Sequence, residues 1–121
     1  MRVLIVDDER ILGRAIAMAL RKALDAEVDV ANDGPTACRL AEEHVYALAV
    51  VDWWLPPPTG RELIQIWRGS ERMGPIVAMS GNQDGTEGQE ALDAGASAFL
   101  EKPFPLPELI AHARTLTGGE A

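Results

Sequence analysis

The chain has 121 residues, 47% of them hydrophobic and 25% charged, with a formal net charge of −8. That balance describes one globular domain able to bury a core, and it excludes a disordered polymer. No lysine- or arginine-rich run appears, which argues against direct nucleic-acid binding and against an anionic membrane surface. The single cysteine, Cys38, excludes an internal disulfide and a cysteine-based metal site, and its place in a helical pattern reads as a small packing residue. The longest apolar runs are far too short to span a bilayer. Met1 directly before the first strand reads as a true N-terminus without a signal peptide, and a cytoplasmic setting fits best.

Residues 2–6 are a leucine and β-branched run, read as strand one, which stops at Asp7-Asp8-Glu9. From 10 to 24 the apolar residues Ile11, Leu12, Ala15, Ile16, Ala19, Leu20 and Ala23 recur at helical spacing. Helix one thus starts among acids and finishes near Arg21 and Lys22, charges that complement the two ends of its dipole. Gly13 within it costs about 1 kcal/mol relative to alanine. Residues 27–31 alternate as a short strand two. Asn32-Asp33-Gly34-Pro35 is a turn in which Asp33 suits the cap, and Pro35 the first turn, of helix two over 36–44.

The apolar run 46–51, with strand three at 47–51, ends abruptly in Asp52, and a proline-rich turn follows over 56–60. A buried strand that delivers an acidic side chain to a sheet edge has this pattern. Helix three spans 60–69 with Leu63, Ile64 and Trp67 inward. Gly74-Pro75 breaks the chain before strand four, 76–79, which ends at Ser80. Residues 81–88 are polar and glycine-rich. Helix four runs from about residue 84 to Ala94, its start weakened by Gly85 and Gly88 and its end marked by Gly95. Strand five is 97–100, closed by Glu101-Lys102-Pro103. Helix five, 106–116, carries Leu106, Leu109, Ile110 and Ala113 on one face, and the tail reads as frayed or as the start of a linker.

Five strands alternating with five helices predict an α/β fold, a parallel sheet covered on both faces. Ligands of such folds bind beyond the carboxyl ends of the strands. At those ends stand Asp7, Asp8 and Glu9 after strand one, Asp52 after three, Ser80 after four and Lys102 after five. If strands one and three are neighbours, three aspartates crowd together. Two unit charges about 4 Å apart repel by about 4 kcal/mol at an effective dielectric of about 20. Such a cluster takes up a proton or recruits a cation, and all-oxygen donors suit magnesium first. No histidine lies near these strand ends, which argues against zinc. His44 and His112 fall in predicted helices as surface or packing residues.

A magnesium ion, a lysine and a hydroxyl around one carboxylate form a set suited to phosphoryl transfer, with Asp52 as the nucleophile that becomes an acyl phosphate. Each residue also has an ordinary structural use. Asp52 can cap or turn, Asp8 and Glu9 can favour a helix start, Ser80 can sit in a turn and Lys102 can be a solvated charge. Those uses do not explain why all of them occur at the same ends of alternating strands.

With VLIVDDE at 3–9, VVDWWLPPPTG at 50–60, MSG at 79–81 and ALDAGASAFLEKPF at 91–104, the chain resembles the receiver domain of bacterial two-component response regulators over essentially its whole length. The resemblance implies a single doubly wound, flavodoxin-like sheet of order 2-1-3-4-5, with a receiver domain over 1–117 and a tail or linker start over 118–121. It implies that Asp52 accepts the phosphoryl group, that Asp8 binds Mg2+ directly and Asp7 through water, and that the backbone carbonyl of Trp54 supplies a further ligand. Ser80 matches the family's conserved hydroxyl residue, Lys102 its conserved lysine and Phe99 its aromatic switch residue; the Lys102–Pro103 bond is expected to be cis. The implied donor is a histidine kinase or histidine phosphotransfer protein. The implied readout is the surface of helix four, strand five and helix five, acting on a downstream effector, with homodimerisation through helices four and five left open.

The sequence departs from the family pattern at Pro57 and Pro58, which stiffen the loop after Pro56, at Gly81, and at the paired tryptophans. Trp54 and Asn82 stand at positions that tune phosphate lifetime in this family, and Trp54 is expected to shield the acyl phosphate from water. A phosphorylation-independent interaction module on the same fold is the alternative. An aspartate-based phosphohydrolase lacks its second carboxylate, since Trp54 stands two residues after Asp52. A flavin binder lacks its phosphate loop. The chain reads as a switch with slow self-dephosphorylation, not as a turnover enzyme.

Overall fold

The apolar runs pair as one parallel sheet, seen in a computed structural model that describes residues 1–81 and 85–118. Among these residues the elements are β1 (Arg2–Val6), α1 (Arg10–Leu24), β2 (Glu27–Ala31), α2 (Gly34–Glu43), β3 (Leu48–Asp52), α3 (Gly60–Trp67), β4 (Ile76–Ser80), α4 (Glu87–Ala94), β5 (Ala98–Glu101) and α5 (Leu106–Thr117). The strand order is β2-β1-β3-β4-β5, as the resemblance implies.

Alternation along each strand divides the core in two. Val3, Ile5, Leu48, Val50, Val77 and Met79 pack with Ile16 and Leu20 of α1 and Leu109 and Ala113 of α5. Leu4, Val6, Ala49, Val51, Ile76 and Ala78 pack with Ala37 of α2, Leu63, Ile64 and Trp67 of α3 and Ala91 of α4. Each large aliphatic side chain so buried contributes about 1.5–3 kcal/mol. The three central strands are therefore apolar on both faces, and polar residues are confined to their ends. Cys38 is partly buried against the second layer, as its packing role requires.

The differences from the expected boundaries have local causes. β3 and β4 each run one residue further, because Asp52 pairs in register with Met79 and Ser80 with Glu101. Both polar residues thus close a hydrogen-bonded ladder instead of opening a loop. β5 is correspondingly shifted to include Glu101. α2 starts at Gly34, with the Asp33 side chain accepting from the Thr36 N–H at 2.7 Å, and it ends before His44, which is its C-cap. His44 therefore stands just outside the helix, its ring edge-on to Tyr46. α1 has no acid in its first turn. The acids expected to favour that end precede the helix and turn toward the site instead. α3 stops at Trp67, and Gly69 follows at φ +79°. α4 is described from Glu87; its expected start at Asp84, and Asn82, lie outside the described residues.

Two features lock the elements beside β3. Thr59 and Glu62 form a capping box on α3: the Thr59 hydroxyl accepts from the Glu62 N–H at 3.1 Å, and Glu62 Oε1 accepts from the Thr59 N–H at 2.9 Å. Thr59→Ala should lower stability by about 1 kcal/mol in chemical denaturation, and an unchanged midpoint would show that the box contributes nothing. Gly60 then lets α3 reach the sheet edge, since a Cβ there would lie 2.2 Å from the Asp52 carbonyl oxygen. At the far end of α3, Arg68 Nη1 donates to the carbonyls of Asp93 and Ala94, each at 3.1 Å, and so caps α4. Gly95, at φ +129°, leaves the room that the Arg68 stem occupies.

Candidate functional site

The register that aligns Val6 with Val51 carries Asp7 and Asp52 to the same level of the sheet. Asp7 is fully buried and Asp52 is 5% exposed, while Asp8 is open to solvent. One carboxylate oxygen from each of Asp7, Asp8 and Asp52 lies within 4.8 Å of the other two. Ser80, also fully buried, ends the neighbouring strand.

Lys102 enters this cluster from the end of β5. Its Nζ donates to Glu9 Oε2 at 2.9 Å, Asp7 Oδ2 at 3.0 Å and Asp52 Oδ2 at 3.4 Å. Asp7 Oδ1 accepts from the Glu9 N–H at 2.9 Å, which folds the chain after β1 back toward the lysine. Asp52 Oδ1 accepts from the Trp54 N–H at 3.1 Å.

Burial pushes the Asp52 carboxyl up from its ordinary 3.8 to about 6, with the Asp7 charge adding to the rise and Lys102 and the Trp54 N–H opposing it. Burial alone would lower Lys102; its hydrogen bonds to Glu9 and Asp7 and the charge on Asp52 outweigh that and hold the ammonium above its ordinary value. Three carboxylates (Asp7, Glu9 and Asp52) thus share one ammonium, and Asp8 adds a fourth carboxylate to the cluster with no contact to that ammonium. The donors are all oxygen, and the excess negative charge is what a hard divalent cation would neutralise, so the residues fit Mg2+.

Residues 3–114 match the sequence profile described as the response regulator receiver domain. The chain belongs to that family. The receiver domain is 40% identical to the response regulator RppA of a Synechocystis strain, over 96% of this chain and 50% of that protein. It is 33% identical to the transcriptional regulatory protein PhoP of Escherichia coli, over 96% of this chain and 52% of that protein. The chain therefore spans about half the length of the curated relatives it matches. Among solved structures, the receiver domain of a Francisella response regulator superposes with a TM-score of 0.87 at 28% identity, covering 97% of this chain and 96% of that one. The Vibrio cholerae chemotaxis protein CheY4 gives 0.83 at 26% identity, covering 95% and 97%.

In this receiver domain the predicted residues Asp7, Asp8, Asp52, Ser80 and Lys102 all stand at one edge of the sheet. Phe99 stands apart on β5, partly buried against the α2–α4 side of the core, with Gly88 of α4 beside its ring. The Lys102–Pro103 bond is cis, as expected, and so is Pro57–Pro58. Two participants were not legible as such. Glu9 shares Lys102 with the aspartates, and its only sequence signal is adjacency to Asp8. Glu87 accepts from the Trp54 indole, a contact across 33 residues that no local pattern announces. No helix among the described residues is long and apolar enough to cross a membrane.

Proposed function

We propose that this receiver domain accepts a phosphoryl group on Asp52 from a histidine kinase or histidine phosphotransfer protein, in a Mg2+-dependent reaction. The observation that carries the reading is the convergence of Asp7, Asp8, Asp52 and Lys102 around one carboxylate that family membership leads one to expect there. An Asp52 oxygen attacks the phosphorus of the donor's phosphohistidine. The P–N bond breaks, and its electron pair returns to the imidazole nitrogen. With its pKa near 6, Asp52 is mostly ionised at neutral pH and therefore nucleophilic, and it loses that capacity as pH falls below 6. Asp7, Asp8, Asp52 and the Trp54 carbonyl would hold Mg2+, which offsets charge on the transferring oxygens when bound.

Lys102 reaches the acceptor now and would follow the new phosphoryl oxygens. The Ser80 hydroxyl would hydrogen-bond one of them, and Phe99 would turn as Ser80 moves. The altered surface of α4, β5 and α5 would then signal to a downstream effector. That one relative is named a transcriptional regulator, with about half its length beyond the match, supports an output carried by a separate domain or protein. We assign the receiver unit to 1–117 and the linker or tail to 118–121, in a cytoplasmic protein that is a substrate and switch. A homodimer through α4 and α5 is compatible with this reading.

Intact mass after incubation with acetyl phosphate tests it. One phosphoryl adduct should form on the wild type with Mg2+, none with a chelator, and none on Asp52→Asn. An adduct that survives Asp52→Asn would place the chemistry elsewhere. A folded protein that takes no adduct from acetyl phosphate or from any histidine kinase would favour a phosphorylation-independent module.

A further inference from the structure

Among the described residues four polar side chains are buried: Asp7, Asp52, Ser80 and Glu87. Three belong to the site. Glu87 does not, and the proposed reaction leaves it unused. It opens α4 and is 2% exposed. Its Oε2 accepts from the Trp54 indole Nε1–H at 2.9 Å. The Trp54 backbone N–H in turn donates to Asp52 Oδ1. A continuous path therefore runs from the Asp52 carboxylate through Trp54 to the first turn of α4, whose next residue, Gly88, abuts Phe99.

Trp54 is 55% exposed, so burial does not fix its ring. The hydrogen bond to the buried Glu87 oxygen is directional, and it supplies the constraint that packing lacks. The side-chain tie from α3 to α4, Arg61 to Glu90 at 3.0 Å with Arg61 also over the Trp53 ring, is exposed on both sides and correspondingly weak.

We infer that Glu87 is a positioning residue for Trp54: it fixes the indole of the residue whose backbone N–H binds Asp52 and thereby slows loss of the phosphoryl group, tying phosphate lifetime to the position of α4. This rests on the reading of Asp52 as phosphoacceptor. Because the tie joins two elements, the coupling is reciprocal for binding. A partner that grips α4 in its present position preserves the indole's place, and one that draws Glu87 away releases it.

The test uses the full 121-residue chain as wild type, Glu87→Ala, Glu87→Gln, Trp54→Phe and the double Trp54→Phe/Glu87→Ala. Two quantities are read: the indole 1H–15N resonance of Trp54 in the unphosphorylated protein, and the rate of adduct loss after acetyl phosphate is removed. Glu87→Ala should shift the resonance and speed adduct loss by about threefold to tenfold. Glu87→Gln keeps an oxygen acceptor and should restore most of both. In the Trp54→Phe background, which should itself lose phosphate faster, Glu87→Ala should add nothing. An indole resonance unmoved by Glu87→Ala overturns the positioning role. An equal rate change in both backgrounds shows that Glu87 acts without Trp54 and also overturns it. A Trp54→Phe rate equal to wild type overturns the link to lifetime. A wild type that takes no adduct defeats the phosphoacceptor reading instead, and the indole resonance still decides whether Glu87 holds Trp54. Thermal unfolding of each variant separates a lost fold from a lost contact.

Discussion

Asp52→Asn, freed of metal by a chelator, should unfold at a higher temperature than the wild type at pH 7. The reason is the position of Asp52 between burial, Asp7 and Lys102. Its folded pKa of about 6 lies above the ordinary 3.8, so the folded state binds the proton more tightly than the unfolded chain does. The stability this gives is fully present below about pH 4 and is lost as pH rises through about 6. At pH 7 the ionised carboxylate therefore costs the fold about 3 kcal/mol, reduced to about 2 by solvent on the open side of the cluster. Asparagine removes the charge and keeps the shape, while Lys102 retains Asp7 and Glu9. The gain should appear as several degrees in the unfolding midpoint at pH 7 and vanish near pH 4. Mg2+ should raise the wild-type midpoint at pH 7 and affect Asp52→Asn far less. A midpoint lowered at pH 7, or shifted equally at every pH, would show that charge at position 52 is not what limits stability.

Lys102→Met should do the reverse. The Lys102 side chain is 14% exposed and touches three carboxylates, of which Asp7 is fully buried. Removing one partner of a buried ion pair leaves the other uncompensated, at a cost of about 3 kcal/mol or more. We expect that loss in metal-free denaturation at pH 7, together with a much reduced yield of adduct. Adding Asp52→Asn should recover part of the stability but none of the adduct, because the two residues share one electrostatic cluster and their effects do not add. Additive effects of the two substitutions would mean that Lys102 stabilises the fold through its stem alone.

Both expectations depend on contacts that are legible in the sequence only in part. The alternation of apolar runs with helical periodicity is local, and it located β1, α1 and β2 at their observed ends. Polarity misplaces the ends of β3 and β4, because Asp52 and Ser80 look like loop residues until their register partners Met79 and Glu101 are known. The acids, the hydroxyl and the lysine could be named because a parallel sheet collects its strand ends at one edge. What each side chain grips could not be. Glu9 reads as a helix-start acid yet holds Lys102, and Glu87 lies inside the glycine-rich stretch 81–88 with nothing near it to announce Trp54. Those pairings are set by packing between distant segments, which periodicity does not encode.

Arg68 makes α4 a lever. The guanidinium grips the helix by its last carbonyls, and Gly95 admits the arginine stem directly behind them. That end is the fulcrum. Eight residues of helix extend about 12 Å from it. A tilt of about 10° about Arg68 would hardly disturb Asp93 but would carry Glu87 about 2 Å, far enough to part a hydrogen bond. A small rotation anchored in α3 is thus delivered, magnified, at the end of the helix nearest Asp52.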